Sequence, residues 1–351
     1  MERRSRFEPL RRRLAQLGED ELVHLVESGA GRVAGIGGTR STIMIDDVML
    51  FVKRVPLTEL ENRTEHRGST ANLFDLPVWC QYGVRSPGFT VWREVAANVQ
   101  ATEWVASGLC ESFPMLFHWR ILNTGAFDGP LPDELGDLEA LVSFYHGSRA
   151  VRRRAEAIAE ASKSVVLLFE FIPGDFSQQL TSVSAGASGG LDALLAELQS
   201  TMLFMNRSGL FHFDTHLGNL VADEYHPYLV DFGLAASTSY DNSPVEAQFL
   251  AANRSHDVAY LTTRIVNFLV AQWCESPDPL VRNAVIRRVA TGNDPALGLP
   301  EAARRIVQRF ALVAVHMNEF YAALHTEDRR TPYPTAKIEA AWAETGSQAS
   351  Y

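Results

Sequence analysis

Cysteine is scarce. Cys80, Cys110 and Cys274 stand far apart in 351 residues with no CxxC spacing. That excludes a disulfide framework and a thiolate zinc site, and it fits a reducing compartment. No uninterrupted apolar run reaches the length of a membrane span, and the N-terminus lacks the apolar segment of a signal peptide. Positive charge is not in excess either: the formal net charge is -10, which argues against nucleic acid or an anionic membrane as the main partner. No internal repeat is visible. These absences lead to the expectation of a soluble cytoplasmic chain with no transmembrane segment. The oligomeric state is left open.

Apolar residues are plentiful, at 46%, so a sizeable core can be buried, and the length suits two lobes. One basic concentration stands out at residues 1–30, where Arg3, Arg4, Arg6, Arg11, Arg12 and Arg13 crowd together. Leu10, Leu14 and Leu17 recur at helical spacing there, which predicts an amphipathic helix with a solvated basic face. Contact with acidic lipid or a partner is the alternative for that face.

From Val33 to Val55 the pattern is strand, glycine turn, strand, with Asp46-Asp47 as a second turn before "VMLFVKRV". Polar, irregular sequence leads to the helix "VWREVAANVQATEWVASG", closed near Gly108. Two further strands, "FPMLFHWRIL" and "SVVLLFEFI", flank a polar insertion at 123–164 that ends in the charged helical run "RAVRRRAEAIAEA". The character changes at "PGDF", and "TSVSAGASGG" reads as flexible. A long helix follows, with Leu194, Leu198, Met202 and Met205 on one stripe and Gly209 as its cap. Helical patterns then dominate to about residue 330, leaving 331–351 as a tail. The expected organisation is a strand-rich 31–172 and a helix-rich 173–330.

The chemistry concentrates in "HFDTHLGNLVADEYHPYLVDFGLA". Two short strands joined by the turn "DEYHP" form a hairpin whose open end brings Asn219 and Asp231 together. An amide oxygen and a carboxylate there suit a hard divalent cation such as magnesium, which takes oxygen ligands and retains phosphate. Asp214, on the preceding loop, is placed to reach a hydroxyl about to attack a phosphoryl group.

His212-x-Asp214-x-x-x-x-Asn219 followed by Asp231-Phe232-Gly233 resembles the catalytic and metal loops of the protein-kinase-like superfamily. The resemblance runs from about Gly31 to Phe268. It implies an α+β, bilobal fold: an antiparallel sheet lobe with one main helix, then a mostly helical lobe. It also implies ATP and Mg2+ as cofactors. In its terms Asp214 looks like the base that orients the acceptor, Asn219 and Asp231 like the metal ligands, and His212 like the histidine that braces the loop, with Gly233 completing the metal-loop motif. Lys53 looks like the lysine that pairs with the nucleotide phosphates, although a surface lysine on an edge strand is its plain structural alternative. Glu94 looks like the partner of that lysine, with Glu103 as a weaker candidate.

Gly35, Gly37 and Gly38 fall where a phosphate-covering loop is required, though Arg40 replaces its third glycine and an ordinary hairpin turn is the alternative. "LLFEFIPGDF" resembles the hinge between lobes. There Phe169 would be the gatekeeper, the backbone of Glu170 and Ile172 would face adenine, and Asp175 would either reach the ribose or cap the following turn. Asp257 looks like the aspartate that braces the catalytic loop from below, with a helix N-terminal carboxylate as the simpler alternative.

Three departures matter. Phe213 replaces the arginine that receives a phosphorylated activation loop, so activation through Ser237, Thr238, Ser239 or Tyr240 is not expected. Glu246 in "SPVE" is at best a degenerate Ala-Pro-Glu. His216 stands where protein kinases keep lysine and resembles aminoglycoside phosphotransferases and choline kinases. The leading expectation is a protein kinase acting on a Ser/Thr hydroxyl. The alternatives are a kinase of small-molecule hydroxyls and a nucleotide-binding pseudokinase scaffold.

Overall fold

Two tight turns build the first sheet. The structure, a computed structural model, describes residues 2–83, 85–127, 129, 131–186, 190–224, 226–274, 278–293 and 298–346. Strands β1 (Ala30–Gly35), β2 (Gly38–Ile45) and β3 (Val48–Leu57) run antiparallel. Asp46 and Asp47 both adopt positive φ, at 47° and 63°, which is the geometry a two-residue hairpin turn demands. At the other turn Gly35 pairs with Gly38. Gly38 has φ of 113°, and a Cβ there would collide with the carbonyl of Arg54, so only glycine fits.

The chain divides into two compact units, residues 1–172 with 230–247, and residues 173–229 with 248–351. The first opens with helices α1 (Glu2–Gln16) and α2 (Glu19–Glu27) ahead of β1. After β3 come the single turn α3 (Glu59–Asn62), α4 (Val91–Ser107) and β4 (Leu116–Leu122). Helices α5 (Asp133–Gly136), α6 (Leu138–Phe144) and α7 (Arg149–Ala159) lead to β5 (Lys163–Glu170). The five-stranded antiparallel sheet has the order β1-β2-β3-β5-β4, so the architecture is α+β.

Side chains in a strand alternate between faces. Val55 and Leu57 of β3 share a face with Val165, Leu167 and Phe169 of β5, and α4 covers that face with Val91, Trp92 and Val95. Lys53 has the same parity as Val55, and β3 is interior to the sheet. Both facts aim Lys53 beneath α4. Thr90 caps α4, and Gly108, left-handed at φ 76°, ends it.

Where the sequence predicts one helix over 1–30, α1 and α2 are separate, because Gly18 stands between them and N-caps α2. Leu10, Leu14 and Leu17 are buried as their spacing implies. The basic face is only partly solvated. Arg3 donates to both carboxylate oxygens of Glu170 at 2.8 and 2.7 Å and to the carbonyl of Phe113 at 2.7 Å.

The insertion at 123–164 is not a polar excursion. Leu135, Leu141, Tyr145, Val151, Ala155 and Ile158 form a buried core with Phe74, Leu76, Cys80 and Phe89 from the segment before α4. Its last residues, Lys163 and Ser164, already belong to β5.

The second unit begins with β6 (Gly174–Asp175), α8 (Phe176–Ala185), α9 (Gly190–Arg207) and β7 (Leu210–Phe211). Strands β8 (Leu220–Ala222) and β9 (Pro227–Leu229) form the hairpin, with β6 as the third strand of that sheet. Helix α10 (Pro244–Ala252) starts in the first unit and ends in the second, and α11 (His256–Cys274), α12 (Pro279–Ala290), α13 (Glu301–Thr326) and α14 (Thr335–Glu344) complete the chain. The stripe Leu194, Leu198, Met202 and Met205 is buried. Thr181 to Ala185, expected to be flexible, are helical, while residues 187–189 of that stretch and 347–351 of the tail lie outside the described residues. The tail carries α14, whose Ile338, Ala341 and Trp342 are buried. Among the described residues no helix is long and apolar enough to cross a membrane.

Candidate functional site

In the first unit Lys53 is the centre of a charged cluster. Its Nζ lies 2.6 Å from Glu94 Oε1 and 2.7 Å from Asp231 Oδ1. Glu94 sits in the first turn of α4, while Glu103 on the same helix is exposed. The side chains of Lys53 and Glu94 are 11% and 4% exposed, whereas that of Asp231 is 42% exposed. The ammonium is thus buried, and the open member of the cluster is the Asp231 carboxylate. Burial by itself pushes the Lys53 ammonium down, but the charges of Asp231 and Glu94 outweigh it and hold it above its ordinary value. Glu94 is pushed up by burial and by Asp231, against the pull of Lys53. One buried cation between two carboxylates leaves an excess of negative charge.

Backbone geometry holds the cluster in place. Asp231 is left-handed, with φ 66° and ψ 73°, and accepts the N–H of Gly233 at 3.2 Å, a conformation that costs free energy in a residue other than glycine. A Cβ on Gly233 would stand 3.1 Å from Asp231 Oδ1, 3.5 Å from Glu94 Oε2 and 3.6 Å from Lys53 Nζ. Phe232 is buried against Phe113, ring centroids 5.9 Å apart. Gly37 belongs to the same neighbourhood, since a Cβ there would lie 3.7 Å from Lys53 Nζ, whereas Gly35 faces open space. Phe169 is buried and packs beside Phe51. Glu170 receives Arg3, and its backbone N–H donates to Met115 at 2.9 Å. Ile172 is half-buried.

The segment after Asp231 is tied to α4. Arg93, the neighbour of Glu94, pairs with Glu246 at 2.7 Å, and both side chains are buried. Tyr240 donates its hydroxyl to the carbonyl of Arg93 at 2.8 Å. Ser243 and Glu246 hydrogen-bond reciprocally, with Glu246 Oε2 accepting the Ser243 N–H at 3.0 Å. That is the capping box which "SPVE" spells in the sequence. Glu246 therefore has a defined structural partner. Sequence reading missed Arg93, because an arginine on a helix beside a glutamate carries no pattern of its own.

In the second unit Asp257 organises a loop. Fully buried in the first turn of α11, it accepts the backbone N–H groups of His212 and Phe213, each at 2.8 Å, and Asn206 Nδ2 at 2.9 Å. Its carboxyl is pushed up by burial, but bonds and charge from His256, the charge of His212 and the His212 backbone bond bring it below the ordinary value. The buried His212 ring accepts the N–H of Asp214 at 3.3 Å. Phe213 takes φ of 63° and is buried among the rings of Phe211, Phe249 and His256, so this position contributes to a core.

Asp214 comes out of that turn with its side chain 26% exposed and His216 Nε2 3.6 Å from its Oδ2. Asn219 Nδ2 donates to the carbonyl of Asp214 at 2.9 Å and to its Oδ2 at 3.1 Å. Asn219 immediately precedes Leu220, which pairs with Leu229 across the hairpin. Asp175 accepts the N–H of Ser177 at 2.7 Å and caps α8, which is the capping alternative the sequence offered.

Among the described residues no group of three or more His, Cys, Asp or Glu side chains is arranged to hold a metal ion. Each taken within its own unit, Asn219 and Asp231 carry oxygen donors of the hard type, and the side chain of Asp231 is exposed. No protein-family model matches the chain, and no curated protein matches it in sequence.

Proposed function

We propose that this chain is an ATP- and magnesium-dependent phosphotransferase with a bilobal, protein-kinase-like fold, and that its acceptor is a Ser/Thr hydroxyl of a protein. The single observation that carries the reading is the clamp on Lys53. A buried ammonium held at 2.6 Å by Glu94 and at 2.7 Å by Asp231 is a costly arrangement to build for stability alone. On its open side stands the Asp231 carboxylate, where a bound magnesium ion together with Lys53 would offset the charge of an anionic ligand. In this reading Lys53 binds nucleotide phosphates and Glu94 orients it, while the turn of Gly35, Gly37 and Gly38 covers the phosphates. Phe169, Glu170 and Ile172 border the adenine.

Asp214 orients the acceptor hydroxyl and takes its proton. Asn219 and Asp231 would hold magnesium, which when bound neutralises phosphate charge. His212 and Asp257 keep the loop in shape. The rate enhancement would come from positioning and charge neutralisation.

His216, 3.6 Å from Asp214 Oδ2, supports a second reading in which the acceptor is a small-molecule alcohol. Purified chain is incubated with magnesium and γ-labelled ATP, with and without added protein, aminoglycoside, choline or sugar. Label in a protein band supports the first reading, and label in a small molecule supports the second. Tight nucleotide binding without transfer to any acceptor would leave a nucleotide-binding scaffold as the remaining account.

A further inference from the structure

Glu61 lies at the centre of a buried polar knot outside the Lys53 cluster. Its Oε1 accepts the backbone N–H of Val91, the first residue of α4, at 2.8 Å, and its carbonyl accepts Trp92 Nε1 at 2.9 Å. Its Oε2 accepts the Thr58 hydroxyl at 2.6 Å and the Thr58 N–H at 3.1 Å. Arg154 Nη1 stands 2.9 Å from the same oxygen, a close charge contact and not an aligned hydrogen bond. Arg154 comes from α7 of the insertion, donates Nε to the carbonyl of Gly88 at 3.2 Å, and lies over the Phe74 ring. The two side chains are 4% and 0% exposed. A carboxylate suits the unpaired N–H groups of a helix start, but a fully buried one also needs a cation. Among the described residues Arg154 is the cation paired with it.

We propose that Arg154 is a positioning residue: through Glu61 it fixes the first turn of α4 and so holds Glu94 against Lys53. Val91 and Glu94 bound a single helical turn, and a shift at Val91 is carried rigidly to Glu94. The insertion at 123–164 thereby becomes part of the machinery around Lys53. This proposal rests on the phosphotransferase reading for the use of Glu94, but not for its geometry.

The test uses the full chain without nucleotide. Lysines are acylated with acetic anhydride at about pH 9 and quantified by mass spectrometry, with Lys163 and Lys337 as internal controls. In Arg154→Met, Lys53 loses Glu94 as a close partner. Its rate relative to the controls should rise at least about tenfold, as the side chain freed from the clamp opens to the reagent. Arg154→Lys, which keeps the cation, should stay within about threefold of wild type on the same scale.

An unchanged relative rate in Arg154→Met, with a lowered melting temperature, overturns the proposal and leaves the pair a structural one. If that variant fails to fold, Glu61→Gln is read in the same way. A selective rise at Lys53 supports the proposal, and an unchanged rate overturns it. Absence of phosphate transfer by the wild type would sink the functional reading while leaving the labelling result intact, so the two failures are distinguishable. Where transfer occurs, Arg154→Met should lower kcat more than it changes KM for ATP.

Discussion

Lys53 owes its role to parity within a strand. The alternation of β3 aims it at the face that α4 covers, where Glu94 and Asp231 meet it. Lys53→Met should abolish phosphate transfer. It should also destabilise the chain by about 3 kcal/mol, the lower end of what breaking a buried pair costs, as measured by urea denaturation. Retained transfer in this variant would contradict the assignment. Asp257→Asn tests the loop in the second unit. An amide offers one acceptor oxygen where the carboxylate uses both, so one of the His212 and Phe213 N–H groups loses its partner, at a cost of about 1–3 kcal/mol. Hydrogen exchange should accelerate at these two amides well before it does in α13. Lys53, Asp214, Asn219 and Asp231 were all legible as candidates because each sits in a local pattern. Arg93 was not, because its partner Glu246 is remote in sequence.

Helix α1 is held on β4 by polar contacts that no helical periodicity foretells. Arg120 donates to the carbonyl of Leu17 at 2.7 Å and to that of Ala15 at 3.2 Å, so a strand residue closes the end of the helix. His118, on the same strand, is pushed down to about 4 by burial first and then by the charges of Arg120 and Arg11. A depressed pKa means that the unfolded chain binds the proton first as pH falls. The neutral ring therefore contributes stability that is fully present above pH 6.5 and is lost as pH drops towards 4. Because the ring is only partly buried, the loss is about 1–2 kcal/mol, after discounting for solvent screening. His118→Gln should flatten this part of the stability profile, and an unchanged profile would contradict the assignment. The elements themselves were largely readable: strands at their turns, α4 by its periodicity and Gly108, α9 by its stripe. The break between α1 and α2 at Gly18 was missed, because Leu10, Leu14 and Leu17 continue one helical spacing right up to it.

At the scale of the whole chain, the insertion at 123–164 was the least legible feature. Its surface is charged, and although α7 buries Val151, Ala155 and Ile158 along one face, the residues that this face packs against are remote in sequence. Only in company with Phe74, Leu76, Cys80 and Phe89 does the insertion close a core. Replacing residues 124–162 with a short turn should therefore leave that core open and give an aggregating chain in sedimentation velocity. A soluble, cooperatively unfolding product would contradict the account. The same distance in sequence hides the ion pair of Glu61 with Arg154, although Thr58 and Glu61 spell a capping box that is visible beforehand.

Transfer of the γ-phosphate from labelled ATP tests the central claim most directly, with wild type and Asp231→Asn compared in a cell lysate with magnesium and with magnesium chelated. The account predicts a labelled acceptor with wild type and magnesium, and none with the variant or without the ion. Normal nucleotide binding by the wild type with no labelled product, protein or small molecule, would contradict it.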